Sequence, residues 1–165
     1  MTTHIDMRQI IEDELLLNNI SVKKWSGSSC GSAYWNCRMV KIPVPVDYDT
    51  FGVCFHEIGH VVLGHVDRET QNGKARYVEE YEAEQYAIAK LKEYGAYNKR
   101  YEYRAISHVL MKIAQAKNRG HNMKKVPREI VSWTGLQVCK WNKAKKVYVF
   151  VDDYKRKQDI KVRFR

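Results

Sequence analysis

The residues with the clearest chemical potential lie in the segment Phe51-Gly-Val-Cys-Phe-His-Glu-Ile-Gly-His-Val-Val-Leu-Gly-His65. His56 and His60 are four apart, so on a helix they project from one face and can share a metal ion. Glu57 lies beside them, within reach of a water in the metal's open position. Zinc at such a site lowers the pKa of its water to roughly 7. Glu57 would take that proton as the water attacks a carbonyl, then pass it to the leaving amine. Short HExxH strings also arise by chance. Here the string sits inside a strongly apolar segment bounded by Asp49-Thr50 and Gly64. Two histidines and a glutamate on the inward face of a helix are costly to bury unpartnered, and a metal removes that cost. A zinc site on His56 and His60, with Glu57 as catalytic base, is therefore expected.

A tetrahedral catalytic site needs a third protein ligand. A histidine six residues beyond His60, the metzincin arrangement, is missing: that position is Val66, and the glycine expected at 63 is Leu63. His65 is one residue short and follows the break at Gly64, so it reads as a surface or supporting histidine. The other route is a glutamate on a following helix, and Val78–Ala87 offers Glu79, Glu80, Glu82 and Glu84. If Ala83, Tyr86 and Ala89 mark the inward face, Glu82 and Glu79 are in phase with it, while Glu80 and Glu84 are less so. Periodicity does not separate Glu82 from Glu79. An oxyanion stabiliser is also needed. Tyr77, Tyr101, Tyr103 and His108 are all candidates, and none stands out.

Taken together, His-Glu-Ile-Gly-His-x-x-Leu-Gly-His followed by Glu-x-Glu-Ala-x-x-Tyr-Ala resembles the ImmA/IrrE family of gluzincin metallopeptidases. The family's second motif is typically E-x-E-A-[DN]-x-F-A. The resemblance places the third zinc ligand on Glu82, directly before Ala83, with Tyr86 and Ala87 at packing positions. Glu84 departs from the Asp or Asn usual there. The resemblance covers about residues 5–95. It implies a zincin-like core with a short sheet, whose edge strand within residues 33–46 lies along the substrate cleft. An extended peptide would add to that edge through main-chain hydrogen bonds. Members of the family are often encoded by phages and mobile elements, and some cleave helix-turn-helix repressors. The implied partner is thus a protein or peptide substrate, regulatory in kind.

The surrounding pattern supplies elements to position these residues. Residues 5–18 read as an amphipathic helix, and Ser26–Gly31 as a Ser/Gly-rich loop. Residues 33–46 read as a strand, with Pro43 and Pro45 confining its end to a sheet edge or exit. Helices are expected from about Phe51 to Gly64, Tyr77 to Tyr94, Lys99 to Asn118 and Arg128 to Trp133, each followed by a glycine stop. Near the C-terminus, residues 146–151 and the alternating Ile160, Val162 and Phe164 read as a β-hairpin turning at Asp152-Asp153. The fold class is α+β. Residues 1–95 form the core, and 96–165 a basic helical and hairpin extension packed on it.

Composition narrows the function classes. The 165 residues can bury a real core without disulfides. The four cysteines show no CxxC spacing and read as structural. No apolar run is long enough to span a bilayer, and Met1–Asp6 lacks the basic start and apolar run of a signal peptide, so a soluble cytoplasmic protein is expected. The net charge of +10 is unevenly spread. Residues 1–89 carry 8 Lys+Arg against 13 Asp+Glu, and residues 90–165 carry 21 against 6. The basic half suits an acidic partner: nucleic acid, or a DNA-bound protein substrate. Two other readings share these features. One is a nucleic-acid-binding protein with a structural or inactive zincin site, and the other a protein that keeps the fold but acts by binding a host factor.

Overall fold

A computed structural model describes residues 6–65, 74–122, 125–135, 139–142 and 147–150. The described residues form a mixed α+β structure of five helices, a three-stranded sheet and a two-stranded hairpin. Helix α1 (Met7–Leu17) starts where the Asp6 side chain accepts from the Gln9 backbone N–H, satisfying one of the open amides of a first turn. It buries Ile11 and Leu15. The chain then forms β1 (Ser21–Ser26), β2 (Ser32–Tyr34), a 3-10 turn over Trp35–Cys37, and β3 (Met39–Pro43).

The strand expected over residues 33–46 is in fact two strands joined by this turn, where Arg38 takes a left-handed conformation (φ 48°). β2 folds back antiparallel on β3, pairing Ser32 with Lys41 and Tyr34 with Met39. β1, not anticipated from the sequence, pairs parallel to the other side of β3. β3 is therefore central and β2 an edge. Val40 and Ile42 of β3 are fully buried and pack with helix α2.

Helix α2 (Tyr48–Val62) begins one turn earlier than Phe51. Its cap is Asp47, whose carboxylate accepts from Thr50 N–H at 2.7 Å, while the Thr50 hydroxyl accepts from Asp47 N–H at 3.1 Å. This reciprocal capping box satisfies two open donors. With β3 on one side and α3 (Arg76–Glu93) on another, α2 is buried almost all round. Phe51, Cys54, Phe55 and Ile58 join Ile11, Val40, Ile42, Ala87 and Leu91 in the principal core. Helix α4 (Lys99–Asn118) and the short α5 (Arg128–Thr134) build a second cluster around Val109, Leu110, Ile113 and Ile130, with Tyr77 of α3 joining it.

Strands β4 (Cys139–Asn142) and β5 (Val147–Phe150) form an antiparallel hairpin. Among the described residues, 147–150 thus pairs with an earlier segment. The expected pairing with Ile160–Phe164 lies outside the described residues.

Candidate metal centre

The facing surfaces of α2 and α3 carry the chemistry. On α2, His56 and His60 sit one turn apart, as their spacing requires. Their Nε2 atoms are 3.1 Å apart. Glu80 Oε2, from the first turns of α3, lies 3.3 Å from His56 Nε2 and 3.5 Å from His60 Nε2. All three residues are buried, at 7 %, 4 % and 2 % exposure. Glu80 Oε2 has no hydrogen-bond donor among the described residues, a costly condition for a buried carboxylate oxygen. A cation between the three atoms removes that cost, and this group could hold a metal ion. The separations suit it: a tetrahedral ion with bonds of about 2.0–2.1 Å sets its ligand atoms about 3.3–3.4 Å apart.

The third member is Glu80, not Glu82. Glu82 accepts from His65 Nε2 at 2.8 Å and from Lys74 Nζ at 2.8 and 2.9 Å, and its side chain is 32 % exposed. The buried stripe of α3 runs through Glu80, Ala83, Glu84, Ala87, Ile88 and Leu91, whereas Tyr86 is half-buried and Ala89 exposed. Choosing Tyr86 and Ala89 as inward markers rotates the face towards Glu82. Glu79 is buried too, but it faces Arg76 and is absent from the group around the histidines.

Each ligand-type side chain is held from behind. Glu80 Oε1 accepts from Arg76 Nε at 2.8 Å and faces Lys112 Nζ at 3.4 Å, leaving Oε2 for the histidines. His56 Nδ1 faces Glu84 Oε1 at 3.3 Å. Glu84 in turn accepts from Tyr101 Oη at 3.0 Å and meets His108 Nδ1 at 3.2 Å. Tyr101 can reach Glu84 only because residue 52 is glycine: a Cβ there would lie 2.1 Å from the tyrosine ring. His108, Glu84 and His56 make a second set of metal-ligand type, sharing His56 with the first. Of the oxyanion candidates, His108 alone lines the cavity. Tyr77 and Tyr101 are buried in packing.

The cavity has a volume of about 350 Å³. It is bounded by the two histidines, Glu57 and Glu80 on one side, by Gly31–Tyr34 of the β2 edge on another, and by Arg76, His108 and Lys112. Glu57 is 8 % exposed. Burial pushes its carboxyl up to about 7, against the opposing pull of His56. The backbone at Gly31, just before β2, passes directly over it, since a Cβ there would lie 2.4 Å from Glu57 Cγ. Burial depresses His60 to about 4. Burial works against His56 as well, but the Glu84 and Glu80 carboxylates outweigh it and push His56 up to about 10.

The basic half contributes to this arrangement. Arg100 and Arg104 of α4 both meet Asp49 Oδ2 of α2, at 3.2 and 3.1 Å, while Lys112 and His108 reach the site. Among the described residues no helix is long and apolar enough to cross a membrane. Comparison with known proteins finds no match among family models, curated proteins or solved structures.

Proposed function

We propose that this protein is a zinc-dependent peptidase with a zincin-like core, in line with its resemblance to the ImmA/IrrE family. His56, His60 and Glu80 are the ligands and Glu57 is the base. The observation that carries the reading is the convergence of three buried ligand atoms at 3.1–3.5 Å, one of them an orphaned carboxylate oxygen, beside a second buried glutamate. Two imidazole nitrogens and one carboxylate oxygen with a fourth direction open to a cavity suit catalytic zinc. When bound, zinc supplies Lewis acidity, acidifying a water and polarising the scissile carbonyl.

The chain's own residues do the rest. Glu57, desolvated between α2 and the β2 backbone, accepts the water's proton on its carboxylate and returns it to the departing amine. β2 has β3 as its only strand neighbour among the described residues, so its other edge offers main-chain groups to an extended substrate across the cavity. His108 and Lys112 line the same cavity and are the candidate donors to a developing oxyanion. A protein or peptide substrate, regulatory in kind as the resemblance implies, is the proposed partner. The nucleic-acid-binding reading rests on the basic half as a whole; within α4, His108 and Lys112 face Glu84 and Glu80 of the site, while Arg100 and Arg104 meet Asp49 from exposed positions.

The test is metal content by mass spectrometry on protein purified without chelator, together with cleavage of an unfolded protein and a degenerate peptide library. One zinc per chain is expected in the wild type, lost in His60→Ala and Glu80→Ala. Glu57→Gln should keep the zinc and lose cleavage. A wild type without zinc, or zinc indifferent to Glu80, would overturn the assignment.

A further inference from the structure

We infer that His65 and Glu82 form a positioning relay behind His60, fixing the imidazole tautomer that turns its Nε2 lone pair toward His56 and Glu80. The inference builds on the metal-ligand reading above and gives Glu82 a role other than ligation.

The geometry begins at the end of α2. Beyond Val62 the chain turns through Leu63 and Gly64, and the His65 backbone N–H donates to the His60 carbonyl at 2.9 Å. That bond folds residue 65 back under the last turn, burying its side chain with the ring centroid 5.0 Å from that of His60. His65 Nδ1 then lies 2.8 Å from His60 Nδ1, and His65 Nε2 lies 2.8 Å from Glu82 Oε2. Lys74 Nζ is bound to both Glu82 oxygens, holding that carboxylate ionised and in place.

With His65 neutral, donor counting along this line leaves one arrangement. An ionised carboxylate only accepts, so the hydrogen of a neutral His65 is on Nε2 and donates to Glu82. His65 Nδ1 is then an acceptor, and His60 must donate to it from Nδ1. The remaining nitrogen of His60, Nε2, carries no hydrogen. It is the atom that lies 3.1 Å from His56 Nε2 and 3.5 Å from Glu80 Oε2. A ligating histidine needs its other ring nitrogen engaged in this way. His56 Nδ1 faces Glu84 Oε1 at 3.3 Å as a charge contact outside hydrogen-bond geometry, whereas His60 meets the need through His65 with Glu82 as terminal acceptor. Three glutamates spaced by two along α3 thus divide the work: Glu80 faces the centre, Glu84 backs one histidine, and Glu82 backs the other through the relay.

Two measurements on Glu82→Ala and His65→Leu test this. Nitrogen-15 spectra of the imidazole rings in chelator-treated protein read the His60 tautomer with no metal involved. The wild type should show His60 protonated on Nδ1, and both variants should lose that preference. Zinc affinity, by competition with a chromophoric chelator, should weaken about 10–100-fold in both variants, with the circular dichroism unchanged. Glu82 is partly exposed, so its variant folds even if His65→Leu does not. A wild-type His60 protonated on Nε2, or variants matching the wild type in tautomer and zinc affinity, would overturn the relay. A wild type that binds no zinc would instead remove the metal reading, and the tautomer measurement would still decide the relay.

Discussion

At the residue scale, the contact between Gly31 and Glu57 is the most exposed to test. The backbone just before β2 lies so close that any side chain at 31 must displace the glutamate, and Glu57 is the residue that such a side chain meets. Gly31→Ala should therefore retain zinc within a few-fold of the wild type while cleavage falls by about 100-fold or more, the scale of a lost or misplaced general base. Equal loss of zinc and cleavage would show that the loop supports the ligands instead. His56, Glu57 and His60 were legible in the sequence because HExxH spacing maps directly onto one helix face. Glu80 was not. Helical phase is read from apolar residues, and the buried stripe of α3 opens with two glutamates that look like solvated surface. They are buried because Arg76, one turn earlier on the same helix, meets both and because Lys112 and the histidines of α2, distant in sequence, meet Glu80. His65 and Glu82 were each noticed alone, but their pairing depends on the turn at Leu63-Gly64.

At the element scale, α2 carries most of the site, so its start matters. Asp47 and Thr50 close the capping box, and the Thr50 backbone and side-chain hydrogen bonds hold the Asp47 carboxyl below its ordinary value. A depressed carboxylate pKa stabilises the fold above the unfolded value near 3.8 and loses that contribution as pH falls through the folded one. Asp47→Ala should accordingly cost about 1 kcal/mol at pH 7, a typical N-cap loss. The difference from wild type should shrink below about pH 4 in urea melts run across pH. A penalty that is constant with pH would mean the loss is one of packing. Most helix C-terminal limits are legible in the sequence, since Gly64, Gly95, Gly120 and Gly135 all follow helices in left-handed conformations. The cap of α2 lies two residues before the expected Asp49-Thr50, because both aspartates are suitable caps and only Asp47 has Thr50 three residues on. The sheet was less legible. β1 has no alternation strong enough to announce it, and one apparent strand hid a 3-10 turn.

For the whole molecule, the seam between α2 and α3 buries Glu57, Glu79, Glu80 and Glu84 with His56 and His60. Buried carboxylates are tolerated only with compensating positive charge, and Arg76, Lys112 and a proton on His56 supply part of it without metal. Metal binding should therefore be both stabilising and coupled to protons. At a free zinc concentration about 1,000 times its Kd, the holo form gains about 4 kcal/mol, which for a chain of this size raises the melting temperature by roughly 8–16 °C over chelator-treated protein. The pH dependence has a definite sign. His56 without metal is raised to about 10 from an ordinary 6.5, so its proton stabilises the metal-free fold fully below 6.5, and that contribution is lost as pH rises through 10. Zinc must displace this proton, so its apparent affinity should rise by about tenfold per pH unit between pH 7 and 9, or about 1.4 kcal/mol. The melting gap between holo and chelated protein should widen across that range by roughly 3–6 °C per unit. Glu80→Gln should melt identically with and without chelator. A gap that stays constant with pH would mean that His56 is already unprotonated without metal, and that Arg76 and Lys112 alone compensate the seam.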